Sequence, residues 1–257
     1  MLKIDAHLHF DDRLSKDITT LAKNLNDDLR QSNIDFATVL HLDIQPWSAE
    51  EFAEVILEND RLIGFINIHP FNKNANDLLR QGIETLGFKG LKLHPRIQKY
   101  DITDKRVSSL ISFAGEMNIP VLIDAFPDGD WLSMGFDVLN FMELAKQSPK
   151  TKIIFAHFGG HQCIDFMMMA KRLPNVYFDC SYSLLYYRGS SITQNIIYCM
   201  QSMRYERVFY GSDYPDRSVE DSLKLSVIEF EKFGVPKDNL QKVMGGNFAK
   251  LLGLSGG

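Results

Sequence analysis

Eight short apolar segments, each followed by a stretch of helical periodicity, leave few folds open to this chain. The apolar segments lie at about 2–9, 34–41, 62–69, 87–95, 119–125, 152–157, 176–181 and 207–213. Between and after them, helices are expected at about 16–32, 48–59, 73–85, 104–117, 134–147, 161–173, 190–203, 219–233 and 237–252. Leu21, Leu25 and Leu29 mark one buried stripe, and Ser48 followed by Glu50 and Glu51 marks a helix start. Short apolar strands alternating with helices require a parallel sheet covered by helices. Eight such units in 257 residues fit a single-domain α/β chain, a (β/α)8 TIM barrel spanning 1–257. A doubly wound open sheet is the rival. The first turn carries no Gly-x-Gly-x-x-Gly loop, which argues against a dinucleotide site of that kind.

Composition narrows the function classes. A net charge of -5 argues against general nucleic-acid binding, which needs a basic face. No apolar run is long enough to cross a bilayer, and Leu2-Lys3-Ile4-Asp5 is not the core of a signal peptide. Cys163, Cys180 and Cys199 are scattered and odd in number, as expected of reduced cysteines in a cytoplasmic protein. The partner expected is a small-molecule substrate, with no nucleic acid and no membrane. A homodimer is the default assembly.

In a barrel the reactive groups sit at the C-terminal ends of the strands. Of the 7 histidines, His7, His9, His41, His69, His94 and His157 all fall there, and His161 opens the next helix. Asp124 stands near the end of the fifth strand and Asp213 at the end of the eighth. The period of two along a strand puts His7 and His9 on one face, with Asp5 behind them. Two imidazoles so placed can share one metal ion. Met167-Met168-Met169 reads as core filler on a helix.

His7-Leu8-His9, Gly90-Leu91-Lys92-Leu93-His94-Pro95, Ala156-His157-Phe158-Gly159-Gly160 and Gly211-Ser212-Asp213-Tyr214-Pro215 occur in that order. Together they resemble the amidohydrolase superfamily, in its amidohydrolase-related branch of metal-dependent hydrolases and decarboxylases, over nearly the whole chain. The resemblance implies a deformed (β/α)8 barrel with one divalent metal, zinc in most cases and manganese as the alternative. The implied ligands are His7, His9, a strand-five histidine and Asp213. His157 matches a residue that polarises substrate or orients water. A metal-activated water, Asp213 as proton carrier and His157 as oxyanion stabiliser would then form the catalytic set.

The chain departs from the family at strand five, where Val121-Leu122-Ile123-Asp124 puts an aspartate in the third ligand's place. Asp124 can itself ligate, as carboxylate oxygens do for zinc and manganese. The other readings are a weak or absent metal, or a nitrogen supplied by His94 or His161. Lys92 shares a strand face with His94. It is expected to bind an anionic substrate group or to pair with Asp124, the alternative being the carboxylated, metal-bridging lysine of the superfamily's binuclear branch. Arg96, Arg188 and Arg217 on loops suit a substrate carboxylate. The substrate-binding candidates are thus Lys92, His94, Arg96 and His161. Trp47, Phe126, Trp131 and Tyr182 either wall a pocket or anchor loops. The expected activity is metal-dependent hydrolysis of a small cyclic or carboxylated lactone or amide. Non-oxidative decarboxylation on the same scaffold and a catalytically degenerate binding barrel are the alternatives.

Overall fold

The computed structural model describes residues 1–254, so the last positions of the expected 1–257 domain lie outside it. Eight parallel strands follow one another in chain order. They are β1 (Ile4–Leu8), β2 (Phe36–Leu40), β3 (Leu62–Asn67), β4 (Gly90–Leu93), β5 (Val121–Ile123), β6 (Ile153–Phe155), β7 (Val176–Asp179) and β8 (Val208–Phe209). The seam between the last strand and the first is closed by backbone bonds. Ala6 N–H donates to Tyr210 O at 3.0 Å, Asp213 N–H to His7 O at 2.8 Å and His9 N–H to Tyr214 O at 2.8 Å. The result is a (β/α)8 barrel.

Helices cover the outside: α1 (Ile18–Gln31), α2 (Ala49–Leu57), α3 (Ala75–Glu84), α4 (Pro95–Gln98), α5 (Lys105–Glu116), α6 (Gly129–Ser133), α7 (Val138–Gln147), α8 (Cys163–Ala170), α9 (Ser183–Tyr186), α10 (Ser191–Ser202), α11 (Val219–Lys232), α12 (Lys237–Gln241) and α13 (Asn247–Leu252). Their starts are chemically marked. Asp17 accepts from Thr19 N–H at the head of α1. At α2, Ser48 and Glu51 form a reciprocal capping box, the hydroxyl accepting from Glu51 N–H and the carboxylate from Ser48 N–H. Leu21, Leu25 and Leu29 of α1 are buried as one stripe. Among the described residues, no helix is long and apolar enough to cross a membrane.

The strands divide the core into two layers. Outward residues such as Leu91, Leu93, Val121, Ile123, Phe155 and Phe178 pack under the helices. Inward residues Ile4, Ala6, Leu40, Ile63, Phe65, Leu122, Ile154 and Phe209 pack together with Phe248 of α13, which plugs the floor of the barrel. Alternation then carries Asn67, Lys92, Asp124 and Asp179 inward as well, one layer above this apolar floor. All four side chains are buried.

The structure corrects several boundaries. The helix expected at 134–147 begins only at Val138, as α7, because Gly135 turns the chain at φ 90° after the separate short α6. The helix expected at 161–173 begins at Cys163, after a left-handed turn through His157, Phe158, Gly159 and Gly160. The helix expected at 237–252 is interrupted between α12 and α13. There the Gly245 backbone lies so close to β1 that a Cβ would sit 2.5 Å from Leu2 O. The eighth strand spans two residues rather than 207–213, so Asp213 sits beyond it on left-handed backbone (φ 56°). Strand one does not alternate strictly either. Its register with β2 shifts between Asp5 and Leu8, which places Ala6 with the inward cluster but Leu8 with the outward one. This bulge re-aims the strand end, and His7 and His9 open into the barrel mouth while Asp5 bonds elsewhere.

Gly90 tests the two-layer packing. A Cβ there would lie 2.6 Å from the Phe65 ring on the floor of the barrel. Gly90→Ala is expected to destabilise the fold by about 1–3 kcal/mol through overpacking, read as a lower urea midpoint at unchanged slope. An unchanged midpoint would show that the inner layer is looser than described.

Candidate active site

The barrel mouth collects histidines and aspartates from six strand ends. His7 ends β1 with its side chain 1% exposed. Its Nδ1 lies 3.1 Å from Asp179 Oδ2 on β7, and its Nε2 lies 3.3 Å from Asp213 Oδ1. His9 Nδ1 lies 2.9 Å from Leu40 O at the end of β2. Of the two carboxylates flanking His7, only Asp179 is hydrogen-bonded to the ring, and carboxylate and carbonyl oxygens can only accept, so the single proton of each neutral ring is assigned to Nδ1 and Nε2 is left unprotonated. Donor atoms of His7, His9 and Asp213 lie within 4.8 Å of one another. A second trio, His7, His157 and Asp179, meets the same limit.

The donor chemistry of the first trio fits a divalent ion. Two imidazoles and one carboxylate converge, each imidazole is oriented by an acceptor on its other nitrogen, and Asp213 keeps 19% of its side-chain surface open. Burial pushes His7 and His9 below the usual histidine range, aided in each case by the Lys92 charge, and so favours the neutral, ligating form.

Asp124 is not among these converging donors; the structure places it in a neighbouring ion-pair group. Its Oδ1 lies 3.2 Å from His157 Nε2, and its Oδ2 lies 3.6 Å from both His94 Nδ1 and Arg96 Nε. Burial would raise this carboxyl. His94, His157 and Arg96 overcome it and hold Asp124 well below the usual carboxylate range. His157 responds in the opposite sense. Burial lowers it, but Asp213, Asp124 and Asp179 together lift it to about 9, so the ring is charged at neutral pH. Burial carries His94 down to about 3.

His157 and Phe158 adopt φ of 60° and 52°, a conformation non-glycine residues rarely take. Gly159 completes the turn where a Cβ would meet the Phe166 ring at 2.0 Å. The turn swings the His157 ring off the strand axis, with its Nδ1 3.1 Å from Ser181 O and its Nε2 toward Asp124.

Lys92 is wholly buried, and its ammonium has no hydrogen-bond partner. Burial pulls it down against the attraction of Asp124, Asp179 and Asp213. Arg96, on α4, spends one nitrogen on Asp128 at 2.9 Å and remains 29% exposed at the mouth. His161 is exposed, outside the cluster. Arg188 is occupied by buried Glu229 of α11 at 2.7 Å, and Arg217 lies 3.5 Å from Asp216. Trp47 and Trp131 are loop and core anchors. The Trp47 indole donates to Lys16 O, and Trp131 packs on Phe136 and Phe141. Phe126 and Tyr182 form an aromatic wall beside His157, joined by Tyr186, which stacks on Tyr182 at 4.9 Å. His41, His69 and Gln98 belong to a polar network beneath the mouth, in which Gln98 Oε1 accepts from His94 N–H.

Sequence reasoning missed two participants, Asp179 and Ser181. The signal was present in Val176-Tyr177-Phe178-Asp179. An aspartate ends that apolar strand at the same level of the barrel as His7 near the end of the first, a placement that histidine clustering alone does not reveal.

Comparison with known proteins agrees with this picture. No curated protein matches the chain. Among solved structures, an uncharacterised TIM-barrel protein from Bordetella bronchiseptica is 18% identical with a TM-score of 0.78, covering 98% of this chain and 99% of its own. A probable 2-pyrone-4,6-dicarboxylic acid hydrolase from Acinetobacter baumannii, with citric acid bound, is 16% identical (TM-score 0.72; 99% and 100% covered). The 5-carboxyvanillate decarboxylase from Novosphingobium aromaticivorans, complexed with manganese and 4-hydroxy-3-methoxy-5-nitrobenzoic acid, is 16% identical (TM-score 0.70; 98% and 96% covered). At these identities the likeness establishes the barrel. The amidohydrolase profile adds the lineage, matching residues 4–254. The chain is therefore an enzyme of the amidohydrolase family.

Proposed function

We propose that this enzyme hydrolyses a small, ring-bearing carboxylated lactone or amide with the help of one divalent metal. The observation that carries the reading is the convergence of His7, His9 and Asp213, with each imidazole already oriented through its Nδ1. Zinc suits two nitrogens and a carboxylate, and manganese becomes the better guest if Asp124 adds a further oxygen. When bound, the ion would supply Lewis acidity and bring the pKa of a water to about 7.

The chain's own groups do the rest. Asp213 faces solvent enough to receive substrate. Its carboxylate takes a proton from the attacking water and hands it to the departing oxygen or nitrogen. His157, held cationic by Asp124, places positive charge where the carbonyl oxygen turns negative. Arg96 and Lys92 offer cations to a substrate carboxylate, and Phe126, Tyr182 and Tyr186 provide a flat face for a ring. Decarboxylation is the second reading. A charged His157 at the mouth is a proton source for a ring carbon that loses CO2.

Elemental analysis of the purified protein is expected to give roughly one zinc or manganese per chain, as one such donor set holds one ion. His9→Ala and Asp213→Asn should each cut that content sharply. A metal-free wild type after incubation with both ions would overturn the metal reading. With metal present, ring opening without CO2 release supports hydrolysis, and CO2 release supports the second reading.

If His157 acts as a cation, kcat/KM falls as pH rises through about 9. Asp124→Asn removes a carboxylate that favours the charged ring, so this limb moves to lower pH. The linked stability has the same sign. A histidine raised on folding stabilises the native state fully below its unfolded value of about 6.5, and the contribution fades as pH climbs through about 9. An unmoved limb in Asp124→Asn would remove His157 from this role. The variant also reads out Asp124 as a ligand, because retained metal content assigns it to the ion-pair group and lost metal assigns it to the coordination set. Arg96→Ala should raise KM for carboxylated substrates roughly 10- to 100-fold with a smaller change in kcat, the loss of one charge-assisted contact. Equal KM values would free Arg96 from substrate binding.

A further inference from the structure

Asp179 is fully buried at the end of β7 and touches both histidine-bearing strand ends. Its Oδ2 faces His7 Nδ1 at 3.1 Å. Its Oδ1 accepts from His157 N–H at 3.1 Å and from Ser181 N–H at 3.1 Å, and the Ser181 hydroxyl also donates to it. That hydroxyl has a single proton, committed to Asp179, so toward His157 Nδ1 at 3.0 Å it can only accept. The neighbouring Ser181 carbonyl, 3.1 Å from the same nitrogen, can only accept too.

For a neutral His7, whose one ring hydrogen bond is to Asp179, these directions set the proton positions. Asp179 accepts a hydrogen bond from His7 Nδ1–H and so turns the unprotonated Nε2 toward Asp213. Through Ser181 it fixes His157 with Nδ1 protonated and Nε2 toward Asp124. Through the His157 backbone N–H it also holds the first residue of the left-handed turn, a conformation that persists only under such constraint. The trio His7, His157 and Asp179 could be taken for a second cation site. The carboxylate's oxygens, however, already meet four donors from the chain, so it serves as an acceptor for protons rather than as a ligand.

We propose that Asp179, relayed by Ser181, is the positioning residue of this active site: one carboxylate sets the tautomer of His7 and the placement of His157 together. The inference rests on the metal-dependent reading for its catalytic consequence, and its structural content can be tested without metal or substrate.

The test uses protein carrying nitrogen-15 histidine, as purified and near neutral pH, with the His7 signals assigned by a His7→Gln variant. Two-bond nitrogen–proton correlations distinguish the tautomers. In the wild type, His7 is expected as the Nδ1–H form. In Asp179→Asn the side-chain amide can offer a donor instead, and His7 is expected to shift to the Nε2–H form or a mixture, while Asp179→Glu restores Nδ1–H. An Nε2–H form in the wild type, or an unchanged Nδ1–H form in folded Asp179→Asn, overturns the proposal. Should Asp179→Asn fail to fold, Ser181→Ala decides. It leaves the His7 contact in place, so His7 stays Nδ1–H, and a switch there would show that Asp179 does not set the tautomer. Titration with zinc adds a second readout: affinity is expected to fall roughly 10- to 100-fold in Asp179→Asn, the usual effect of losing a partner behind a ligating histidine. Unchanged affinity in the folded variant overturns the proposal. Failure of the wild type itself to bind zinc would overturn the metal reading and leave the tautomer result standing.

Discussion

Charge buried in a barrel has to be matched within a few ångströms, and that requirement shapes the whole mouth of this enzyme. Asp124 and Asp179 are fully buried. An isolated carboxylate in such a place would lose its charge or unfold the chain. Both keep it because imidazoles and a guanidinium stand against Asp124, and His7, a backbone amide and Ser181 against Asp179. The apolar floor of Phe65, Phe209 and Phe248 strengthens these interactions by keeping water away from below. Lys92 lies among the same carboxylates without a hydrogen bond of its own, and burial pulls its amine down against their attraction.

The barrel was legible in the sequence because its signals are local and repeated. Apolar runs, helix periodicity and the Ser48 cap each depend on a few neighbouring residues, and eight repetitions left little choice of topology. The clustering of His7, His9, His157 and Asp213 followed from strand ends alone. The grouping within the cluster did not. Whether Asp124 faces the His7 side or the His157 side depends on where β4, β5 and β6 stand around the barrel, and on Arg96 reaching back from α4. The bulge in β1 and the brevity of β8 were equally hidden. The bulge lies in the pairing of β1 with β2, and β8 stops short at the seam, where segments about two hundred positions apart in the chain meet, as in the bond from Ser212 N–H to Asp5 Oδ1.

Left-handed backbone shapes the mouth, as it also shapes turns at the other end of the barrel such as those at Asn33 and Asn118. His157, Phe158, Tyr182 and Asp213 all adopt positive φ, and each lies on a loop leaving the mouth end of a strand. A regular strand end can present a side chain only up or down the barrel wall. The left-handed turns allow His157 to lean across toward Asp124, and Asp213 to lean back toward His7. The glycines that follow His157 are needed because Phe166 and Pro127 occupy the space a Cβ would claim.

The seam between β1 and β8 has a consequence for how the molecule assembles. His7 and Asp213 are joined there by a backbone bond, so two of the three candidate ligands come together only when the barrel ring shuts. Closure of the fold and completion of the site are one event. An ion bound across that seam would act as a clasp, holding the first and last strands together in proportion to its free concentration. Such an ion would reinforce the most distant pairing in the chain, one that loop closure otherwise makes slow to form.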